Sequence, residues 1–65
     1  MGTVKWYDDE KGYGFFAVAG EADVFVHSSE LAKSGIESII EGDVYSFETV
    51  DLDNGPMATN IIQFS

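Results

Sequence analysis

The residues most suggestive of reaction chemistry lie in Asp23-Val24-Phe25-Val26-His27-Ser28, where the chain's single histidine stands near a carboxylate and beside a hydroxyl. In an extended strand, residues four apart are separated by roughly 13 Å, so Asp23 and His27 cannot form the hydrogen-bonded pair that a hydrolytic site needs. No enzyme activity is expected. One histidine among scattered carboxylates, with no cysteine, makes no tetrahedral ligand set, so no metal or cofactor is expected either. The aromatic side chains offer a different chemistry. Trp6, Tyr13, Phe15 and Phe25 recur at short intervals, and flat π-faces on a surface bind other flat rings by stacking.

Strands must position these rings. Thr3 to Tyr7, Tyr13 to Val18, Asp23 to His27, Val44 to Val50 and Met57 to Phe64 are rich in β-branched and aromatic types. Turn-forming residues separate them, with Asn54-Gly55 the clearest hairpin signal. Between the third and fourth strands, Ser28 to Gly42 has room for one short helical or 3₁₀ turn, drawing on Leu31, Ile36, Ile39 and Ile40 and interrupted by Gly35. Closely spaced strands without repeats or a linker predict one all-β domain over residues 1–65, a small closed or nearly closed barrel.

Alternation assigns faces. Val24 and Val26 point one way and Phe25 and His27 the other; Tyr13 and Phe15 oppose Gly14, Phe16 and Val18. A domain of 65 residues has material for one core, so one set must face outward. If these two strands are neighbours, Tyr13, Phe15, Phe25 and His27 form one exposed platform. Gly14 predicts a barrel bend or the close approach of another chain or ligand. Simple alternation puts Trp6 inside with Val4, whereas a bulge would turn it out; periodicity leaves both open.

Twelve acidic residues against Lys5, Lys11 and Lys33 give a net charge of −9, which taken alone argues against polyanionic partners. With 45% hydrophobic residues the chain is nevertheless not a solvated acidic tail. Met1 to Lys5 leads into charged residues rather than an apolar run, and no segment approaches the roughly 20 apolar residues of a membrane span. A cytoplasmic protein without membrane contact is the expectation.

Lys11-Gly12-Tyr13-Gly14-Phe15-Phe16 followed by Val24-Phe25-Val26-His27 resembles the paired ribonucleoprotein motifs of the bacterial cold-shock proteins and the related cold-shock domain. Gly2-Thr3-Val4-Lys5-Trp6-Tyr7, Glu41-Gly42 and Gly55-Pro56-Met57-Ala58-Thr59-Asn60-Ile61 extend the resemblance over essentially the whole chain. It implies a five-stranded antiparallel OB-fold barrel that binds single-stranded RNA and DNA. In that reading Trp6, Tyr13, Phe15, Phe25 and His27 stack on bases, Lys5 and Lys11 contact phosphate, and Asp23 hydrogen-bonds base edges. The resemblance also turns Trp6 outward. Four positions depart from the family pattern: Asp8 for asparagine, Ser28 and Ile36 for aromatics, and Asn54 for a basic residue.

The expected activity is RNA chaperoning through weak, pyrimidine-leaning binding by a monomer, with a strand-swapped dimer as the alternative state. At most three lysines can meet phosphates, which limits the log–log salt slope to about −2. The competing reading, motivated by the acidity and the four departures, is an OB-fold protein-interaction module with weakened or lost nucleic-acid binding. The acid excess also fits a salt-rich habitat.

Overall fold

The structure, a computed structural model, describes residues 1–63. Five strands, β1 (Gly2–Asp8), β2 (Tyr13–Ala17), β3 (Val24–His27), β4 (Val44–Leu52) and β5 (Gly55–Gln63), and one helix, α1 (Ser28–Lys33), follow the expected order. The last two strands run closer to their hairpin than the composition predicts. Asp53 and Asn54 form the tip, and Gly55 opens β5 at φ 120°, a conformation that favours glycine. Phe64, expected in the fifth strand, lies outside the described residues.

The strands close into a barrel in the order β1-β2-β3-β5-β4, an OB-type arrangement. Four neighbouring pairs are antiparallel. The predicted antiparallel OB-fold barrel is thus formed, and its closure is made by one parallel contact, between β3 and β5 where Phe25 is in register with Met57. Parallel neighbours require a crossover connection rather than a tight turn. Here the chain between β3 and β5 includes α1 and the β4–β5 hairpin.

A single core fills the barrel. Val4, Phe16, Val24, Val26, Tyr45 and Ile61 are buried from the strands, and Leu31 enters from α1 at 1% exposure. The predicted inward set therefore packs as a unit, with Val18 half-buried beyond the end of β2. Of the three isoleucines between β3 and β4, Ile39 is buried and Ile36 packs on the core, but Ile40 is exposed. Phe47 adds a ring stacked on Phe16 with centroids 4.5 Å apart.

Two irregularities shape the barrel. In β1 the register skips between Val4, opposite Phe16, and Trp6, opposite Phe15. The extra residue shifts the alternation by one, so Val4 is inside while Trp6 faces out. In β5 the register shifts opposite Phe47, and Asn60 takes φ 49°, which asparagine tolerates better than most side chains. The Asn60 amide donates to Glu48 Oε1 at 2.6 Å, and the next backbone N–H, of Ile61, donates to Ser34 Oγ at 3.2 Å. That last bond ties the end of α1 to β5.

Gly14 faces the barrel interior opposite Tyr7, and the close approach predicted at this glycine is made by the chain's own first strand. A Cβ there would lie 2.8 Å from Tyr7 Cα and closer still to the Trp6 carbonyl oxygen. Backbone cannot step aside as a flexible side chain can, so Gly14→Ala should destabilise the fold by about 2 kcal/mol or more. Urea unfolding checks this: a midpoint equal to that of the wild type would show that β1 and β2 do not meet at this glycine.

Candidate nucleic-acid interface

The outward side chains of β2 and β3 meet across the sheet because Tyr13 is in register with His27 and Phe15 with Phe25. The bulge in β1 adds Trp6 opposite Phe15. The result is one continuous cluster: Trp6 lies 5.4 Å from Tyr13 and 5.6 Å from Phe15, and Phe25 lies 5.9 Å from Tyr13, 5.7 Å from Phe15 and 6.3 Å from His27, between ring centroids. The rings pack tilted or edge to face, arrangements favourable by about 0.5–1.5 kcal/mol per pair beyond burial. Trp6, Tyr13, Phe15 and Phe25 are half-buried and His27 is exposed, so the cluster retains ring surface open to solvent.

The five predicted ring residues are therefore brought together, and His27 also caps a helix. It is the N-cap of α1: its Nδ1 accepts the Ser29 backbone N–H at 3.1 Å and lies 3.0 Å from Ser29 Oγ. Acceptance at Nδ1 places the proton of the neutral ring on Nε2, leaving a donor on the ring's other edge. The cap thus fixes ring orientation and tautomer together.

Lys11 is held by the loop between β1 and β2. Asp8 Oδ1 accepts the backbone N–H groups of Glu10 at 3.0 Å and Lys11 at 3.1 Å, while the Asp8 carbonyl accepts that of Gly12 at 2.8 Å. Asp8 thus supplies the loop with an acceptor, the role an asparagine carbonyl could also fill, while adding a negative charge. Burial raises the Tyr7 phenol above its ordinary pKa, and the neighbouring Asp9 and Asp8 carboxylates raise it further; the phenol stays neutral at physiological pH.

The cations are mostly committed. Lys5 Nζ pairs with Asp23 Oδ2 at 2.8 Å, joining two residues expected to act separately, one on phosphate and one on a base edge. Lys33 pairs with Glu30 on α1 at 3.1 Å. Among the described residues Lys11 alone has no carboxylate partner. The Lys5–Asp23 pair is solvent-exposed to a degree that makes it worth little, so a phosphate could compete for Lys5.

Ser28 and Ile36 border a broad open depression of about 660 Å³ beside α1, where the family pattern places aromatic rings. Asn54 lies elsewhere, in a cleft of about 190 Å³ formed with Phe15, Phe25, Leu52 and Gly55. Sequence reasoning missed Leu52 and Gly55 as neighbours of the rings because hairpin register, not local pattern, carries them there. The same register continues the ring row, since Phe25 is opposite Met57 and Met57 opposite Val50. No helix of the described residues is long and apolar enough to cross a membrane.

Comparison with known proteins agrees with this geometry. The family model of the 'Cold-shock' DNA-binding domain matches residues 1–64. Cold shock protein CspA of Staphylococcus aureus (strain USA300) is 50% identical over 63 residues, covering 97% of this chain and 96% of the relative. The proteins of the same name from Staphylococcus saprophyticus and Staphylococcus haemolyticus show the same identity and coverage. A match spanning nearly the whole chain, on a closed five-stranded barrel whose two motif strands pair with their rings outward, places this protein in the cold-shock domain family.

Proposed function

We propose that this protein binds single-stranded RNA and DNA by stacking bases on Trp6, Tyr13, Phe15, Phe25 and His27, without catalysis, as an RNA chaperone acting in the cytoplasm. The carrying observation is the row of rings in register across β1, β2 and β3 on the outer face of the barrel. Stacking is worth about 1–3 kcal/mol per base, so three or four occupied rings supply on the order of 5–10 kcal/mol before ordering costs. This exceeds what one unpaired lysine and one exchangeable lysine can add.

In this reading Lys11 meets phosphate directly, and Lys5 does so by leaving Asp23. Duplex binding depends mainly on phosphate contacts and is opposed by the net charge of −9, which favours flexible single strands. Pyrimidine-rich strands are the preferred partners because their bases self-stack weakly and are free to transfer to the rings. The protein acts as one cold-shock domain, as a monomer.

Titration of heptameric oligo-dT followed by Trp6 fluorescence tests the platform. Quenching is expected for the wild type, with affinity about 5- to 150-fold lower in Phe15→Ala, measured at a temperature where circular dichroism shows the variant still folded because it also loses the Trp6 and Phe25 ring contacts. Tighter binding to duplex than to single strand contradicts the mechanism, and an unchanged signal up to high micromolar oligonucleotide supports a protein-interaction module instead.

Asp23→Asn removes the competitor for Lys5. Its affinity for heptameric oligo-dT at low salt should rise about 2- to 5-fold, with a log–log salt slope of about −1.4, the value of two phosphate contacts without a competing carboxylate. An affinity no higher than that of the wild type, with a slope of only about −0.7, would mean that Lys5 takes no phosphate.

A further inference from the structure

The chain has two asparagines, and the fold treats them in opposite ways. Asn60 donates its amide to Glu48 Oε1 at 2.6 Å, and the backbone nitrogen that follows it, that of the buried and β-branched Ile61, donates to Ser34 Oγ at 3.2 Å. Asn54 is exposed at the tip of the β4–β5 hairpin, and no side-chain hydrogen bond among the described residues holds its amide. The residue after it is Gly55, where, chain neighbours apart, no atom of the described residues lies within 4 Å of the position a Cβ would take. No side chain therefore shields the Gly55 nitrogen from the amide before it. Pro56 comes next and cannot donate to the ladder. The family pattern has a basic residue at position 54, so the Asn-Gly pair arises from this chain's own departure.

We propose that Asn54-Gly55 is a site of spontaneous covalent modification, at which Asn54 loses its amide through a succinimide formed with the Gly55 nitrogen. That nitrogen gives up its proton and bonds to Asn54 Cγ, the Cγ–Nδ2 bond breaks, and ammonia departs with the proton. Water then opens the ring. Cleavage of the new N–Cγ bond leaves aspartate on an intact main chain. Cleavage between the Gly55 nitrogen and the main-chain carbonyl carbon of residue 54 leaves isoaspartate, whose main chain runs through Cγ. Either product replaces a neutral amide with a carboxylate and takes the net charge one unit below −9. The two differ in the turn. Leu52 pairs with Gly55 across Asp53 and Asn54, a connection whose length sets the register of the hairpin. Isoaspartate adds a main-chain atom there and loosens the pairing, whereas aspartate preserves it. Asn60 is spared, because the nitrogen that would attack it is bonded to Ser34 and its own amide to Glu48.

The test incubates folded wild type and Asn54→Gln at mildly alkaline pH, beside wild type unfolded in guanidinium chloride. Residue 54 is exposed, so Asn54→Gln should fold, and its longer side chain closes the ring far more slowly. Folded wild type should gain one mass unit and one negative charge, at a rate that rises in proportion to hydroxide. Tandem mass spectrometry should place the change at residue 54, and a methyltransferase specific for L-isoaspartate should label part of the product. Asn54→Gln should stay unmodified over the same period. The isoaspartyl fraction should melt below Asn54→Asp, which carries the charge without the added atom. Folded wild type that remains unmodified for as long as the unfolded chain takes to convert overturns the proposal, because the hairpin then holds the nitrogen out of reach. A change that maps to Asn60, or that Asn54→Gln shows equally, overturns it as well. An isoaspartyl fraction that melts with Asn54→Asp overturns the loosening of the turn.

Discussion

The contact between β1 and β2 at Gly14 is the constraint on which the rest of this barrel depends. The backbone of Trp6 and Tyr7 passes so close to Gly14 that no side chain fits between the strands, and just before this contact β1 carries its bulge. Without the bulge, a strand that buries Val4 would bury Trp6 as well. With it, Val4 faces the core, Trp6 joins Phe15 outside, and Tyr7 returns to pack against the core. One irregular residue thereby reconciles a single small core with a continuous outer row of rings. A barrel this small is held by its apolar core and its strand hydrogen bonds, with no disulfide.

Electrostatics and stacking pull in opposite directions on this surface. The chain carries −9, and two of its three lysines already hold carboxylates. Surface ion pairs of this kind contribute about 0–1 kcal/mol, and Debye screening reduces the long-range repulsion at physiological salt. Stacking at about 1–3 kcal/mol per base is neither screened nor dependent on phosphate. In the proposed mechanism the larger, short-range effect decides whether a strand stays bound, while the charge mainly governs how fast it arrives and whether a duplex can compete.

Much of this was legible in the residues. Alternation separated Val24 and Val26 from Phe25 and His27, and Phe16 from Tyr13 and Phe15, because in a one-core barrel inward and outward sets must differ in kind. Trp6 was not legible from alternation, since a bulge is a departure from the very period being read; the resemblance placed it correctly. The pairing of Lys5 with Asp23 joins residues 18 apart in sequence and emerges only once β1 and β3 flank β2. The capping role of His27 was hidden for a different reason, since Ser, Thr, Asp and Asn are the usual caps. Leu52 reads locally as an ordinary strand residue, and only the β4–β5 register brings it to the rings.

The account's central claim is that rings, not cations, hold the strand, and the salt dependence of heptameric oligo-dT binding tests it most directly. With Lys11 available and Lys5 exchangeable, the plot of log affinity against log salt should have a slope between about −0.7 and −1.4, and Phe15→Ala should lower the line without tilting it. A slope steeper than about −2, or one that Phe15→Ala flattens, would show that phosphate contacts carry the binding and would contradict the account.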